Sequence, residues 1–219
     1  MSRPAPRPAL SRDRVIDAAS RVADEADLVA VSMRSVGREL GVEAMSLYHH
    51  VANKDALLDG LADWVFQRIM TPSAERGWRT EMQARAHSAR QVLTAHPWGL
   101  GLLESRRSPG PATLRHHDAV LGCLRSAGFP IPLAAHAFSV LDAYVYGFVL
   151  TEVNLPFEPG EAPDEFVAGL NLVAAEHPHL AEMITAQVTG RAYSYGDEFD
   201  YGLELILDGL QARFLTPGA

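Results

Sequence analysis

The sequence predicts an all-α protein with a small N-terminal head and a larger helical body. Apolar residues recur with helical spacing along the chain, and no run alternates with period two for long enough to require a sheet. Prolines stand where the first turn of a helix tolerates them, and glycines stand where helices would end. These positions are Pro111, Pro132, Pro163 and Pro178 for the prolines, and Gly128 and Gly190 for the glycines.

Four helices are predicted before residue 70. Ser11 can cap the first, Ser32 the second and Asn53 the fourth, because each side-chain oxygen can accept a backbone N–H of the first turn. The second helix ends at Gly41, and the third runs from residues 43–44 to about residue 51. The inward faces of the first, second and fourth helices are formed by Val15, Ala18, Ala19, Val22 and Ala26, by Val36 and Leu40, and by Leu57, Leu58, Leu61, Val65 and Ile69.

A composition break at residues 72–77 marks the predicted boundary between head and body. We predict a loose arm over residues 1–10, a helix-turn-helix domain with its connecting helix over 11–70, and a body over 71–219. The arm cannot be helical because Pro4, Pro6 and Pro8 interrupt it. The body helices are predicted at 80–96, 111–127, 132–153, 163–177, 178–188 and 194–214, with an exposed loop at 155–162.

Composition and charge exclude several classes of protein. The chain has 219 residues, 47% hydrophobic and 21% charged, and its single cysteine, Cys123, cannot form an internal disulfide. The N-terminus lacks the apolar core of a signal peptide, and the apolar stretch 133–153 contains His136, Asp142 and Glu152, so it is a poor membrane span. We therefore expect a cytoplasmic protein. The net charge is −8, but residues 1–54 hold eight basic against seven acidic residues, so a slightly basic head precedes an acidic body.

Residues 32–51 have the layout of a helix-turn-helix. Val36, Leu40, Val42, Leu47 and Val51 would form its small core, and Gly41 would supply the tight turn between its two helices. With Leu47 facing inward, the opposite face of the second helix would present Ala44, Met45, Tyr48 and His49. A short helix that presents side chains in this way fits the major groove of DNA.

The segments that carry this layout resemble the TetR family of transcriptional regulators. The resemblance rests on RVIDAA at residues 14–19 and on MRSVGRELGVEAMSLYHHVANKDALLDGLADWV at 33–65, in which LYHHVANKDALLD is the most specific run. The body resembles that of the tetracycline-repressor subgroup through Gly128–Phe129, AFSVLDAYVYGFVL at 137–150 and FDYGLELILDGL at 199–210. The resemblance covers nearly the whole chain and implies a DNA-binding regulator, most often a repressor, that is released from a near-palindromic operator by a small ligand.

The resemblance also implies roles for individual residues of the head. Arg34 matches a position that reaches a base edge, where an arginine can bind guanine with two hydrogen bonds. Ala44, Met45 and Ser46 match three base-reading positions, but they replace a Gln-Pro-Thr run of that subgroup, which indicates a different operator. Met45 could contact a thymine methyl group or only pack. The complete predicted DNA-binding set is Arg34, Ser35, Ala44, Met45, Ser46, Tyr48, His49, His50 and Lys54.

Tyr48, His49, His50 and Lys54 match positions that contact phosphates or flank the recognition helix. Lys54 falls in the first turn of the fourth helix, where backbone N–H groups also attract an anion. On the arm, Arg3 and Arg7 could reach the minor groove or phosphates, or the arm could simply be disordered.

In the body, the family resemblance implies a small-molecule pocket. Candidate wall residues, which would serve equally well as plain core, are Phe66, Met70, Trp98, Leu102, His117, Val120, Leu121, Phe138 and Leu141. Met70 stands where the tetracycline repressors place a drug-binding histidine, and residues 102–105 contain no histidine to match their magnesium ligand. A tetracycline–magnesium effector is therefore not expected, and the effector should be more apolar.

The same resemblance makes the helix at 132–153 and the last helix the dimerisation pair, whereas the alternative places both in one monomeric core. The predicted interface residues are Ala137, Leu141, Tyr144, Phe148, Phe199, Leu203, Ile206, Leu207 and Leu210. Dimerisation suits the head, because two recognition helices about 34–36 Å apart read a near-palindrome together.

Other functions find little support in the sequence. The nine histidines include adjacent pairs, but neighbouring residues on a helix point about 100° apart and do not converge on one ion, so no metal or other cofactor is expected. An all-α enzyme would need a nucleophile–base signature or a phosphate loop, and neither is visible. A helical adaptor would leave residues 48–54 unexplained. The expected partners are double-stranded DNA, an unknown small molecule and a second copy of the chain.

Overall fold

A computed structural model describes residues 9–103, 105, 108–155, 164–170, 172–190 and 194–216. Throughout these ranges the regular structure is helical and no strand is present, so the predicted all-α fold is confirmed. The arm residues Arg3 and Arg7 and most of the predicted loop at 155–162 lie outside the described residues.

The chain divides into two compact units, Met1–Ala134 and Ala135–Ala219. The helices of the first unit are α1 Arg12–Ala30, α2 Met33–Leu40, α3 Ala44–Leu47, α4 Lys54–Phe66, α5 Trp78–Ala95, α6 Leu100–Leu103 and α7 Pro111–Ser126. A 3₁₀ turn, Pro97–Gly99, precedes α6. Helix α4 is the centre of this unit, because it contacts both α1 and α7.

The predicted helix caps are present in the head. The hydroxyl oxygen of Ser11 accepts the N–H of Arg14, and the amide oxygen of Asn53 accepts the N–H of Ala56 at 2.8 Å. Ser32 and Ser35 form a reciprocal capping box at the start of α2. Such a cap is worth on the order of 1 kcal/mol, which matters for a helix of eight residues.

Three local features of the first unit differ from the prediction. Helix α3 has only four residues and continues as turns to residue 50, so the predicted end near residue 51 is wrong. Helix α1 is kinked at Ala26 and Asp27, where Asp27 adopts φ 62° and its carboxylate accepts the N–H of Leu28. The turn at Pro97–Gly99 and helix α6 were not anticipated, since they are too short to show a hydrophobic period.

The segment between α4 and α5 is held by Glu81, which is buried on α5. Its carboxylate accepts the N–H of Ser73 at 3.0 Å and pairs with Nε of Arg76 at 2.6 Å. These hydrogen bonds, first of all the one from Arg76, lower the pKa of Glu81 below its ordinary value. The composition break at 72–77 is thus an ordered connection to α5.

The second unit contains most of α8 Ile131–Glu152, together with α9 Asp164–Gly169, α10 Pro178–Gln187 and α11 Glu198–Leu215. The hydroxyl of Tyr144 on α8 donates to the carbonyl of Phe199 on α11 at 2.8 Å, and the two rings stack with centroids 5.5 Å apart. The helix predicted at 163–177 is wrong in length, because α9 ends at Gly169.

Helix α8 has the length and apolar composition that a membrane span would need, which is weak evidence on its own. It also contains Asp142, which is buried and accepts from the hydroxyl of Tyr146. An apolar helix of this kind is equally typical of the core of a soluble protein.

Candidate nucleic-acid interface and ligand-binding body

The turn between α2 and α3 is set by two glycines. Gly41 ends α2 with φ 66°, a left-handed conformation that glycine adopts at little cost. Gly37 lies where α2 meets the turn, and a Cβ atom there would stand 3.0 Å from the carbonyl oxygen of Val42 and 3.3 Å from the Cα atom of Ala44. Leu47 is fully buried beneath this turn. Gly41 was predicted from the sequence, whereas Gly37 was not, because its role depends on the approach of the two helices.

The exposed members of the predicted DNA-binding set lie on α2, on α3 and the turn after it, and at the start of α4. Met45 is 73% exposed and Tyr48 46% exposed, so both large side chains are accessible to a partner. We call this surface the reading face and define it by its exposed residues Arg34, Met45, Tyr48, His49 and Lys54. The other predicted residues, Ser35, Ala44, Ser46 and His50, are half-buried.

Ser35 has a structural role that its prediction as a DNA contact did not include. Its hydroxyl lies 2.8 Å from the carbonyl oxygen of Ala30 and accepts the backbone N–H of Ser32. The hydroxyl proton is therefore donated to Ala30, while the hydroxyl oxygen takes part in the capping box. Ser35 fixes the start of α2, and with it the direction in which Arg34 leaves the helix.

Helix α1 contacts both α2 and α4, the two longer helices that carry residues of the reading face. Arg21 pairs with Glu39 of α2 at 2.6 Å on the surface. The indole N–H of Trp64 on α4 donates to Asp17 at 2.7 Å, and the guanidinium of Arg68 lies over the ring of Trp64. α1 therefore links α2 to α4.

The far end of α4 is joined to the start of α7 by Asp63. The buried carboxylate accepts the backbone N–H of Thr113 at 2.9 Å and its hydroxyl at 3.2 Å, so Asp63 caps α7 from another helix. Gly110 approaches so closely that a Cβ atom there would stand 2.4 Å from Cγ of Asp63. We call Asp63, Gly110 and Thr113 the α4–α7 contact. None of the three residues was singled out from the sequence, since the contact joins positions 50 residues apart.

The predicted pocket residues fall in different places. Phe66 packs against the ring of His117 with centroids 5.1 Å apart, and Leu102 and Val120 are buried in the same unit. The backbone N–H of Met70 donates to the hydroxyl of Ser88. Leu121 is exposed on α7. The remaining candidates of the second unit are Phe138, which is half-buried, and Leu141, which is buried.

Trp98, another predicted pocket residue, packs against α1 and α4. Its indole N–H donates to Asp24 of α1 at 2.6 Å, and its ring contacts those of Trp64 and His96. Nδ1 of His96 also lies 2.7 Å from Asp24, so one carboxylate receives two donors. This position gives Trp98 a structural role between α1, α4 and the 3₁₀ turn.

The predicted dimer residues stay a prediction, and the single chain shows how exposed each of them is. Most of them are already buried within a single chain, so their side chains have no surface to offer a partner. The buried members are Ala137, Leu141, Phe148, Phe199, Leu203, Leu207 and Leu210, whereas Tyr144 and Ile206 are half-buried. The same two helices expose other apolar side chains, namely Val140 and Leu150 on α8 and Tyr201 and Leu205 on α11. A period of 3.6 residues does not distinguish the inner face of these two helices from the outer one, because both faces are apolar.

The described part of the chain contains no candidate metal site, and its one cysteine is buried. Across those residues, no three His, Cys, Asp or Glu side chains come together as a group that could hold a metal ion. Burial raises the pKa of the Cys123 thiol, which favours its protonated form.

Comparison with known proteins identifies both parts of the chain. Residues 15–61 match the family of bacterial regulatory proteins called tetR, and residues 71–214 match the tetracyclin repressor-like C-terminal domain. The HTH-type transcriptional repressor DrrR1 of Streptomyces coeruleorubidus is 33% identical, with 94% of this chain and 79% of DrrR1 covered. The class A tetracycline repressor from transposon 1721 of Escherichia coli is 31% identical, with 94% of this chain and 93% of that repressor covered.

Solved structures agree with this result. The crystal structure of the TetR family protein ActR from Streptomyces coelicolor in complex with actinorhodin has a TM-score of 0.80 and 28% identity. The alignment of the two structures covers 97% of this chain and 100% of the ActR chain. TetR-family regulators are DNA-binding proteins and not enzymes, which confirms the predicted function class. With both of its parts matched and its relatives aligned over almost its full length, the chain belongs to the TetR family of transcriptional regulators.

Proposed function

We propose that this protein is a cytoplasmic homodimeric repressor that a small molecule releases from a near-palindromic operator. The observation that carries the proposal is the reading face, which exposes Arg34, Met45 and Tyr48 on two helices fixed by a tight turn. Large side chains left exposed on a rigid element are typical of a binding surface.

The residues of the reading face divide by chemistry. Arg34 leaves the first turn of α2 and is suited to bind a guanine through two hydrogen bonds. Met45 has no hydrogen-bond donor and is suited to a thymine methyl group. Tyr48, His49 and Lys54 are suited to phosphates, which hold the protein in register and carry no sequence information.

The proposed dimer uses the outer sides of α8 and α11, where Val140, Leu150, Tyr201 and Leu205 are exposed. A dimer of this kind would present two copies of α3 to successive major grooves, about 34 Å apart. Each reader contacts few base pairs, so linking two of them raises the affinity for a near-palindromic site.

Release by a small molecule follows if the ligand and the operator favour different separations of the two heads. Each then weakens the binding of the other by the same factor. The relatives include tetracycline repressors. A thioether at Met70 cannot replace a hydrogen-bonding histidine, and we therefore expect that tetracycline–magnesium does not release this protein from DNA.

The test is selection of DNA fragments from the source genome by the purified protein. We expect one near-palindromic sequence to be enriched, with an affinity that falls steeply as salt rises. The double variant Arg34→Ala/Tyr48→Ala should lose this selectivity, whereas Arg213→Ala, an exposed arginine on α11, should keep it. Selectivity that survives the double variant would place the DNA-binding surface elsewhere.

A further inference from the structure

Two buried basic side chains meet between α5 and α7. Arg85 and His116 are each 1% exposed, and Nε of Arg85 donates to Nε2 of His116 at 2.9 Å. The His116 ring also lies beside Phe66, with centroids 5.4 Å apart. Neither Arg85 nor His116 was expected at a binding site, because the contact joins positions 31 residues apart.

The hydrogen bond from Arg85 fixes where the imidazole carries its proton. A guanidinium only donates, so Nε2 of His116 must be the acceptor and must lack a proton. Burial, the charge of Arg85 and the neighbouring His117 lower the pKa of His116 to about 3. The ring is therefore neutral near pH 7, and its one proton stands on Nδ1.

This Nδ1–H is a donor that the described protein residues do not satisfy. The atom is buried and has no hydrogen-bond partner among them. Buried donors in folded proteins are nearly always paired, because leaving one unpaired costs free energy that an apolar side chain would not lose. The bond from Arg85 accounts for Nε2 of the histidine, but no group in the described part of the chain accounts for its second nitrogen, Nδ1.

The donor lies close to the α4–α7 contact. Phe66 is the last residue of α4, and Asp63, one turn earlier on that helix, holds α7 at Thr113. His116 is one turn after Thr113 on α7. A group that binds Nδ1 of His116 would therefore touch the junction of these two helices. Since α4 begins at Lys54, such a group acts on the helix that leads to the reading face.

We propose that Nδ1–H of His116 is the polar contact of the effector, and that the effector presents a carboxylate or carbonyl oxygen on an otherwise apolar frame. This inference rests on the proposed function, in which the body binds a small molecule. A charged oxygen forms a stronger hydrogen bond with an N–H donor than a neutral one does, so a carboxylate is preferred to a neutral carbonyl. The ring of Phe66, which packs beside His116, would give the apolar part of the ligand an aromatic neighbour.

The first test measures which ring nitrogen of His116 carries the proton in the intact protein. Nitrogen-15 NMR of histidine-labelled protein at neutral pH should show His116 with a protonated Nδ1 and an unprotonated Nε2. The probes are benzoate, benzamide and toluene, which share a ring and differ in the oxygen acceptor. We expect benzoate to shift the Nδ1–H resonance most, benzamide less and toluene least. A proton on Nε2, an Nδ1–H resonance that benzoate leaves unchanged, or equal shifts with toluene would overturn the proposal.

The second test uses His116→Phe, which keeps a ring and removes the donor. This variant should bind benzoate on the order of tenfold more weakly, with toluene binding unchanged. His136→Phe, an exposed histidine on α8, is the matched control and should bind both probes as the natural protein does. Equal benzoate affinity for all three proteins would also overturn the proposal. If His116→Phe does not fold, the NMR result alone decides.

Operator binding by the unchanged protein distinguishes a failure of the proposed effector contact from a failure of the proposed function. A protein that selects its operator but gives the wrong histidine tautomer contradicts the effector contact alone. A protein that selects no operator contradicts the proposed function.

Discussion

The reading face and the α4–α7 contact lie in the same compact unit but differ in what surrounds their side chains. Arg34, Met45 and Tyr48 point away from the protein, whereas Asp63 and Gly110 approach each other so closely that even one added carbon would not fit. The fold does not need the first set, and it depends on the second. Substitutions on the reading face should therefore change recognition without changing stability, and substitutions at the contact should first change stability.

The largest effect is expected for Gly110→Ala. The new Cβ atom would stand 2.4 Å from Cγ and 2.7 Å from Cβ of Asp63, so α4 and α7 must separate and the cap on Thr113 is strained or lost. We expect the free energy of unfolding to fall by about 3 kcal/mol, measured by urea denaturation.

The control is Gly122→Ala on the same helix, where no atom lies within 4 Å of the added carbon. It should leave stability unchanged or raise it by about 0.5–1 kcal/mol, because alanine favours a helix over glycine. Similar losses for both variants would show that the two helices are not held by this contact.

The next effect concerns pH and the buried His116. Its pKa is lowered in the folded protein to about 3, so the unfolded chain binds the extra proton between about pH 6.5 and 3. Stability is fully present above that range and is lost as the pH falls through it. Between pH 6 and pH 4 the natural protein should lose about 2 kcal/mol more than His116→Phe, as measured by urea denaturation at each pH. Parallel pH profiles would mean that His116 charges freely in the folded state.

On the reading face, Arg34→Ala should weaken specific DNA binding by about 1.5 kcal/mol and relax the preference at one base pair of each half-site. Stability should change by less than about 0.5 kcal/mol, because the side chain is exposed. Binding titrations against single-base operator variants measure both results. Arg34→Lys keeps the charge but loses the two-pronged geometry, so it should also lose the base preference. A lysine variant with full selectivity would reduce Arg34 to a phosphate contact.

The smallest effect is expected for Lys54→Ala. Loss of one phosphate contact should weaken binding to all sequences about equally and reduce the slope of log affinity against log salt by about one. Lys54→Arg should keep the slope. A change in base preference would contradict the assignment of Lys54 to the backbone.

Features that depend on neighbours in sequence could be predicted, and features that depend on distant residues could not. The caps at Ser11, Ser32 and Asn53 involve residues three positions apart, and the left-handed conformation of Gly41 is a local property. The exposure of Met45 follows from the burial of Leu47 on the same helix.

The features that the sequence does not reveal have the same origin. The inner and outer faces of α8 and α11 are both apolar, so Leu141 and Val140 could not be told apart by periodicity. The histidine at 116 lies on the buried face of α7 with Val120, four residues later, which was a usable signal. The predicted pocket residue was its neighbour His117, and the arginine that donates to His116 comes from another helix.

The hydrogen bonds to Asp24 set a lower limit on the length of a fragment that could bind DNA on its own. Asp24 of α1 receives hydrogen bonds from His96 and Trp98, and Trp98 in turn contacts the ring of Trp64. A fragment cut after residue 70 would keep every group of the reading face but would remove both donors from Asp24 and one side of the shelter around Trp64. A DNA-binding fragment of this chain should therefore extend through the 3₁₀ turn at Pro97–Gly99, because only then does it include both residues that donate to Asp24.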